Sequence, residues 1–434
     1  MVQAVKGGLV ETIVSQATTY ENAAPRSKRD TRIDVFRALA LLTIFINHVP
    51  GTIYEYFTHK NLGFSDSAEA FVLISGMAVG LAYGAKFTVG NRLFLLLKLW
   101  RRAFTLYSAH ILTTLATLAI FCGAAVFLHH DSFLGQINIA TLIKEPAKGF
   151  VGLFTLGHQL GYNNILPLYM VLLLAAPLML SVAGKSLRLL LVLSGALYLF
   201  AGFYHIAPAN YPAQGVWFLN PLSWQFLFAI GMAATIHVKR GGSLPKSPWL
   251  VVLAAAYLVL SCIWVRFSLW GINIRMGLPE TLTGFNKTFV ALPRLLHILA
   301  LSYVIAAFPA ISNLARTSLY HPLALLGKYS LPVFVTGTLL SMVAQVLKQV
   351  NPGGISYDTL LIATGMTVQF ALAYYLEWFH QGARSARRPQ AQTAPVATVG
   401  GAAPLPESLP VTATGAAMPM AENLSVVKKR RVKA

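Results

Sequence analysis

Arg37 and His48 stand eleven residues apart in RIDVFRALALLTIFINHVPG, a segment that otherwise reads as membrane-spanning. At about 100° per residue, the two side chains fall within about 20° on one helix face, about 16 Å apart along the axis. Ionisable groups inside a bilayer face a bundle interior or an aqueous cavity and mark functional sites by default. A guanidinium fork suits phosphate and other anions, while an imidazole, with an ordinary pKa of about 6.5, is mostly neutral at pH 7 and accepts a proton. The pair points to chemistry or transport inside the bilayer. Taken singly each residue has a plainer reading, with Arg37 snorkelling to headgroups and His48 hydrogen-bonded in a helix interface.

An acidic pair opens the next apolar stretch, GFSDSAEAFVLISG. Asp66 and Glu69 are three apart and share a helical face at the outer membrane surface. The same spacing makes a capping box, with Asp66 as N-cap and Glu69 at N3, and acids in a first turn suit the helix dipole. In the functional reading one carboxylate orients His48 and stabilises its cation while the imidazole acts as a general base. Further polar candidates are His110, Gln225, Lys287, Arg294 and His297. Arg294 lies inside an apolar pattern and needs a counter-charge, for which Glu69 is the candidate.

The elements that must position these groups follow from composition. Of 434 residues, 56% are hydrophobic and 11% charged, which excludes a soluble globular domain and defines an all-α, polytopic membrane bundle. Ten spans are expected, at 35–54, 69–85, 103–128, 163–183, 189–205, 218–238, 248–267, 291–308, 323–346 and 358–378. With both termini cytoplasmic, 26 lysines and arginines lie on the inner side and 8 on the outer, as the positive-inside rule requires. The loop 86–102 carries Lys86, Arg92, Lys98, Arg101 and Arg102 and no acid. A formal charge of +20 spread between apolar segments, with no basic stripe, argues against a nucleic-acid partner.

Residues 1–30 read as a cytoplasmic segment without a cleavable signal, 31–380 as the transmembrane domain, and 381–434 as a disordered tail ending in KKRRVK, suited to anionic inner-leaflet headgroups. The outer loops 129–162 and 268–290 are long enough to cover an outward-facing cavity. No metal site is expected, since no histidine pair shows ligand spacing. Cys122 and Cys262 read as small buried hydrophobes. No internal repeat of the transporter type is evident.

Several segments, in this order, resemble the OpgC-type membrane proteins linked to succinylation of osmoregulated periplasmic glucans. They are DVFRALALLTIFINHVPG, THKNLGFSDSAEAFVLISGMAVGLAYG, RRAFTLYSAH, NILPLYMVLL, NPLSWQFLFAIG, RLLHILALSY and LLGKYSLPVFVTGTLLS, and together they span residues 34–341. That family looks related to integral-membrane acyltransferase family three, whose first span carries an arginine, ten intervening residues and a histidine. The chain departs from the family pattern at Arg37-Ala38, where Arg-Gly is frequent, and at Ser67, which interrupts an alanine pair. Neither departure removes a reactive group.

The resemblance implies an O-acyltransferase of the bacterial inner membrane that takes an acyl group, succinyl by expectation, from cytoplasmic acyl-CoA to a glucan hydroxyl on the periplasmic side. No permanently bound cofactor is expected; acyl-CoA is the donor substrate. On this reading His48 is the base, Glu69 or Asp66 stabilises the imidazolium, and Arg37 holds the anionic end of the donor. Lys287 and Arg294 bind a carboxylated acyl chain or the developing oxyanion. Asn163, Asn164, Trp224 and Gln225 are candidates to dock the sugar, and Asp34 and Asn47 complete the substrate-binding set. The expected partners are the lipid bilayer, the glucan acceptor and glucan-synthesis proteins. Two rival readings use the same polar cavity: a polysaccharide transporter or flippase, and a non-catalytic partner subunit of a glucan synthase.

Overall fold

Leucine-rich apolar runs with few internal charges can satisfy their backbone groups in a bilayer only as helices. The computed structural model describes residues 30–272 and 277–386, and among these no strand is formed. The expected N-terminal segment and basic tail fall almost wholly outside the described residues. Ten long helices coincide with the ten expected segments: α1 Arg32–Asn47, α2 Ser67–Tyr83, α3 Arg92–Phe127, α4 Ile165–Lys185, α5 Leu187–Phe203, α6 Pro221–Lys239, α7 Pro248–Arg266, α8 Leu292–Ala307, α9 Ser330–Val350 and α10 Ile355–Ala386. Six of them, α3, α4, α6, α7, α9 and α10, are long and apolar enough to cross a membrane. The other four have 16 or 17 residues. At 1.5 Å per residue they reach about 24–26 Å, short of a core about 30 Å thick.

Four boundaries differ from the hydropathy reading; α9 begins at Ser330 and not near residue 323, behind the separate short helix Pro322–Lys328, and α10 runs on to Ala386 and not 378. Helix α1 stops at Asn47 and not near residue 54, with His48 as its C-cap. Pro50 follows and has no N–H to extend the helical ladder, and Gly51 takes φ +76° to turn the chain away. Helix α3 begins at Arg92, so most of the basic stretch expected as a loop is helical. Lys, Arg and Leu are good helix formers, and hydropathy alone marks their charge without their propensity.

The tightest helix pair is α2 against α6. A Cβ at Gly76 would sit 2.1 Å from the Phe228 carbonyl oxygen, and one at Gly231 would sit 2.2 Å from that of Leu73. Small residues allow this backbone approach, and in lipid such packing replaces the hydrophobic drive that a soluble core would have. Thr235 adds a hydrogen bond from its Oγ1 to the Met77 carbonyl, 3.1 Å across the pair. Around the pair lie fully buried Trp224, Phe228, Leu172 and Met232. The start of α2 and the end of α1 are thereby fixed at one end of the bundle, beside the starts of α4, α6 and α8.

Candidate active site

Helix α1 delivers His48 at its last turn, where the backbone N–H bonds to the carbonyl oxygens of Ile44 (3.0 Å) and Phe45 (3.1 Å). Gln345 of α9 donates its Nε2 to the His48 carbonyl at 2.8 Å, fixing the cap from the other side. The imidazole stacks on Tyr162, with ring centroids 4.1 Å apart and planes 14° from parallel. Its Nδ1 is buried and has no hydrogen-bond partner among the described residues. The ring opens onto a cavity of about 220 Å³ whose wall includes Asn47, Lys60, Asp66, Lys287 and Phe218.

The acidic pair caps its helix as expected and also enters an ion-pair network. Asp66 accepts a hydrogen bond from the Ala68 N–H at 2.8 Å, and Glu69 accepts one from the Asp66 N–H at 2.9 Å, which completes the capping box. The same carboxylates also receive charge from helix α8 and its leading loop. Arg294 Nη2 lies 2.6 Å from Glu69 Oε1 and 3.5 Å from Asp66 Oδ2, and Lys287 forms an ion pair with Asp66. Two acids and two bases thus form a network that is close to neutral overall. No hydrogen bond joins either carboxylate to His48 among the described residues, so the Tyr162 stack, not an acid, sets the plane of the imidazole.

Arg37 lies at the opposite end of α1. Its Nη1 is 3.3 Å from Asp34 Oδ1 and 3.3 Å from the Gly327 carbonyl oxygen, on the short helix Pro322–Lys328. That contact depends on Gly327, where a Cβ would come within 1.8 Å of the Asp34 carbonyl oxygen. Arg37 and Asp34 do not line the His48 cavity. Along α1 between Arg37 and His48, Leu41, Leu42, Ile44 and Phe45 are buried against neighbouring helices. Spacing along one helix is present, and the cavity at His48 does not extend to Arg37.

The remaining candidates separate into those in the cavity and those that brace it. Asn47 lines it and accepts from Thr58 Oγ1 at 2.7 Å, and Asn164 lines it at the start of α4. Asn163 is buried and donates to Thr117 Oγ1 of α3 at 3.1 Å. Trp224 is wholly buried, and its Nε1 donates to the Lys287 carbonyl at 3.2 Å, holding the lysine's backbone in place. Gln225 donates to the Ser194 carbonyl at 2.8 Å inside the bundle. His297 shares a 2.7 Å hydrogen bond with Ser65 Oγ beside the acidic pair, whereas both ring nitrogens of buried His110 lack partners among the described residues. The Ser67 departure is accommodated by Thr43, whose Oγ1 lies 2.6 Å from Ser67 Oγ and ties α1 to α2.

Tyr162, Lys60 and Phe218 escaped the sequence reading. Lys60 in THKN is a cation in a short loop expected on the outer side, against the charge bias of the chain, and Tyr162 directly precedes the Asn163-Asn164 pair. Both signals were legible. Phe218 had none beyond its place before a helix start.

Together these features define an all-helical protein, with helices able to cross a membrane, that holds a histidine in a charged cavity at one end of its bundle. The family model described as OpgC protein matches residues 29–381, and the chain belongs to that family. No curated protein and no solved structure matches the chain.

Proposed function

We propose that the protein is an integral-membrane O-acyltransferase with ten spans and both termini cytoplasmic in a bacterial inner membrane, moving an acyl group, succinyl by preference, from cytoplasmic acyl-CoA to a hydroxyl of a periplasmic glucan. The observation that carries this reading is His48, held by a ring stack in a cavity that also contains Lys60, Lys287 and Asp66. Family membership and the likeness to acyltransferase family three support it.

In the reaction His48 accepts the proton of the sugar hydroxyl as its oxygen attacks the thioester carbonyl. The C–S bond breaks, the acyl group leaves on oxygen as an ester, and the imidazolium returns its proton to the departing thiolate. Lys287 and Lys60 supply positive charge for the developing oxyanion and for the carboxylate of a succinyl group. Asp66, near the ring, favours the imidazolium while it exists. Arg37 takes the anionic end of the donor at the other end of α1. This requires its guanidinium to leave Asp34, so the reading rests on the His48 cavity.

Purified protein in lipid, incubated with labelled succinyl-CoA and periplasmic glucan, should release labelled glucan. A transporter or a non-catalytic subunit would leave all label on the donor or on free succinate.

A further inference from the structure

Beside the His48 cavity lies a second chamber of about 320 Å³ that shares Tyr162, Asn164 and Phe218 with it. Its other walls come from two loops, one between α3 and α4 that gives Asn138 and Gln159, and one between α5 and α6 that gives Asn210. The two chambers differ in chemistry. Where the first holds lysines and an aspartate, the second is lined by no Asp, Glu, Lys or Arg. Its one histidine, His158, is buried, which lowers its pKa and favours the neutral imidazole.

The amides are set in place by the backbone. Asn138 Nδ2 donates to the Gln159 carbonyl at 3.2 Å, Gln159 Nε2 to that of Leu156 at 3.2 Å, and Asn210 Nδ2 to that of Val216 at 3.0 Å. In each, the amino group is engaged, and the side-chain oxygen has no partner among the described residues. The supporting turns use left-handed backbone at Asn138 (φ 69°), Leu156 (φ 67°), Gly161 (φ 50°) and Gly215 (φ 103°). Such conformations, costly for the non-glycine residues, persist where the surrounding structure enforces them. Half-exposed Phe218 and Tyr162 add flat apolar faces.

Fixed amide oxygens accept hydrogen bonds from hydroxyls, aromatic faces cover the C–H faces of a sugar ring, and the absence of charge disfavours an ionic ligand. We infer that this chamber is the acceptor subsite: it holds a neutral hexose unit of the glucan and presents a hydroxyl across the shared Tyr162–Asn164–Phe218 wall to His48. The inference rests on the acyl-transfer reading for the fate of that hydroxyl, but not for binding itself. It also relocates the sugar from the sequence candidates Trp224, Gln225 and Asn163, which brace the bundle, to residues in the loops.

The test uses the full chain in nanodiscs with a neutral periplasmic glucan fraction as probe. Saturation-transfer NMR should show glucan bound to the parental protein and to His48→Ala, and bound about threefold more weakly by Gln159→Ala and by Asn210→Ala. In the transfer assay the double variant should need about tenfold more glucan for half-maximal rate, as expected for two lost hydrogen bonds, with its dependence on succinyl-CoA unchanged. Absent glucan contact in the parental protein, or equal contact and equal glucan dependence in the variants, would overturn the subsite. Glucan contact without any acyl transfer would leave the subsite standing and refute the enzyme reading.

Discussion

Arg294 Nη2 sits 2.6 Å from Glu69 Oε1, and that carboxylate is wholly buried while the arginine side chain is 13% exposed, so α2 and α8 are joined by a largely buried ion pair. Removing one member of a buried pair costs up to about 3–5 kcal/mol, and less where, as for Arg294, a second carboxylate, Asp66 at 3.5 Å, remains. Glu69→Gln keeps most of the capping hydrogen bond and loses the charge. The variant should therefore melt well below the parental protein in detergent, and Arg294→Met added to it should recover part of the loss. An unchanged melting temperature would show that the cap alone is what Glu69 provides.

Tyr162 fixes the plane of His48 through its ring and not through its hydroxyl. Tyr162→Phe should retain near-parental turnover. Tyr162→Ala loses an aromatic pair worth about 0.5–1.5 kcal/mol and should slow turnover by about two- to tenfold, with little change in melting temperature. Equal rates in both variants would remove the positioning role.

Much of this arrangement was legible in the sequence, and the exceptions have physical causes. Ten apolar runs marked ten helices because a bilayer leaves the backbone few alternatives. The need of Arg294 for a counter-charge pointed to Glu69, and the two are in contact. The internal partners of Asn163, Trp224 and Gln225 were not legible, because an amide or indole that bonds a group inside the bundle looks the same in sequence as one that bonds a ligand. The neutral chamber was only partly legible: the long loop 129–162 and Asn164 were marked, but its loops follow neither helical nor strand periodicity and its other amides come from separated positions. The end of α1 was overrun because Val49 is apolar and a hydropathy window weighs Pro50 too lightly.

Arg37 is engaged by Asp34 and the Gly327 carbonyl at the end of α1 opposite His48. If it takes the donor's anionic end, Arg37→Ala should raise the succinyl-CoA concentration needed for half-maximal rate while leaving glucan dependence unaltered. Identical donor curves would strike Arg37 from the donor site and leave it a structural tie.

The α2–α6 contact has no room for side chains at its closest points. Gly76→Leu and Gly231→Leu should each abolish stable folding or force a large fall in melting temperature, because the clash is with backbone carbonyls that cannot swing aside. Normal yield and melting of either variant would mean the helices stand further apart than described.

The central claim is that the His48 imidazole accepts the proton of the attacking hydroxyl. The direct measurement is transfer of label from succinyl-CoA to periplasmic glucan by His48→Ala, purified in lipid and matched to the parental protein for yield and melting temperature. No labelled glucan above background is expected with folding intact; labelled glucan formed at the parental rate would rule out His48 as the base.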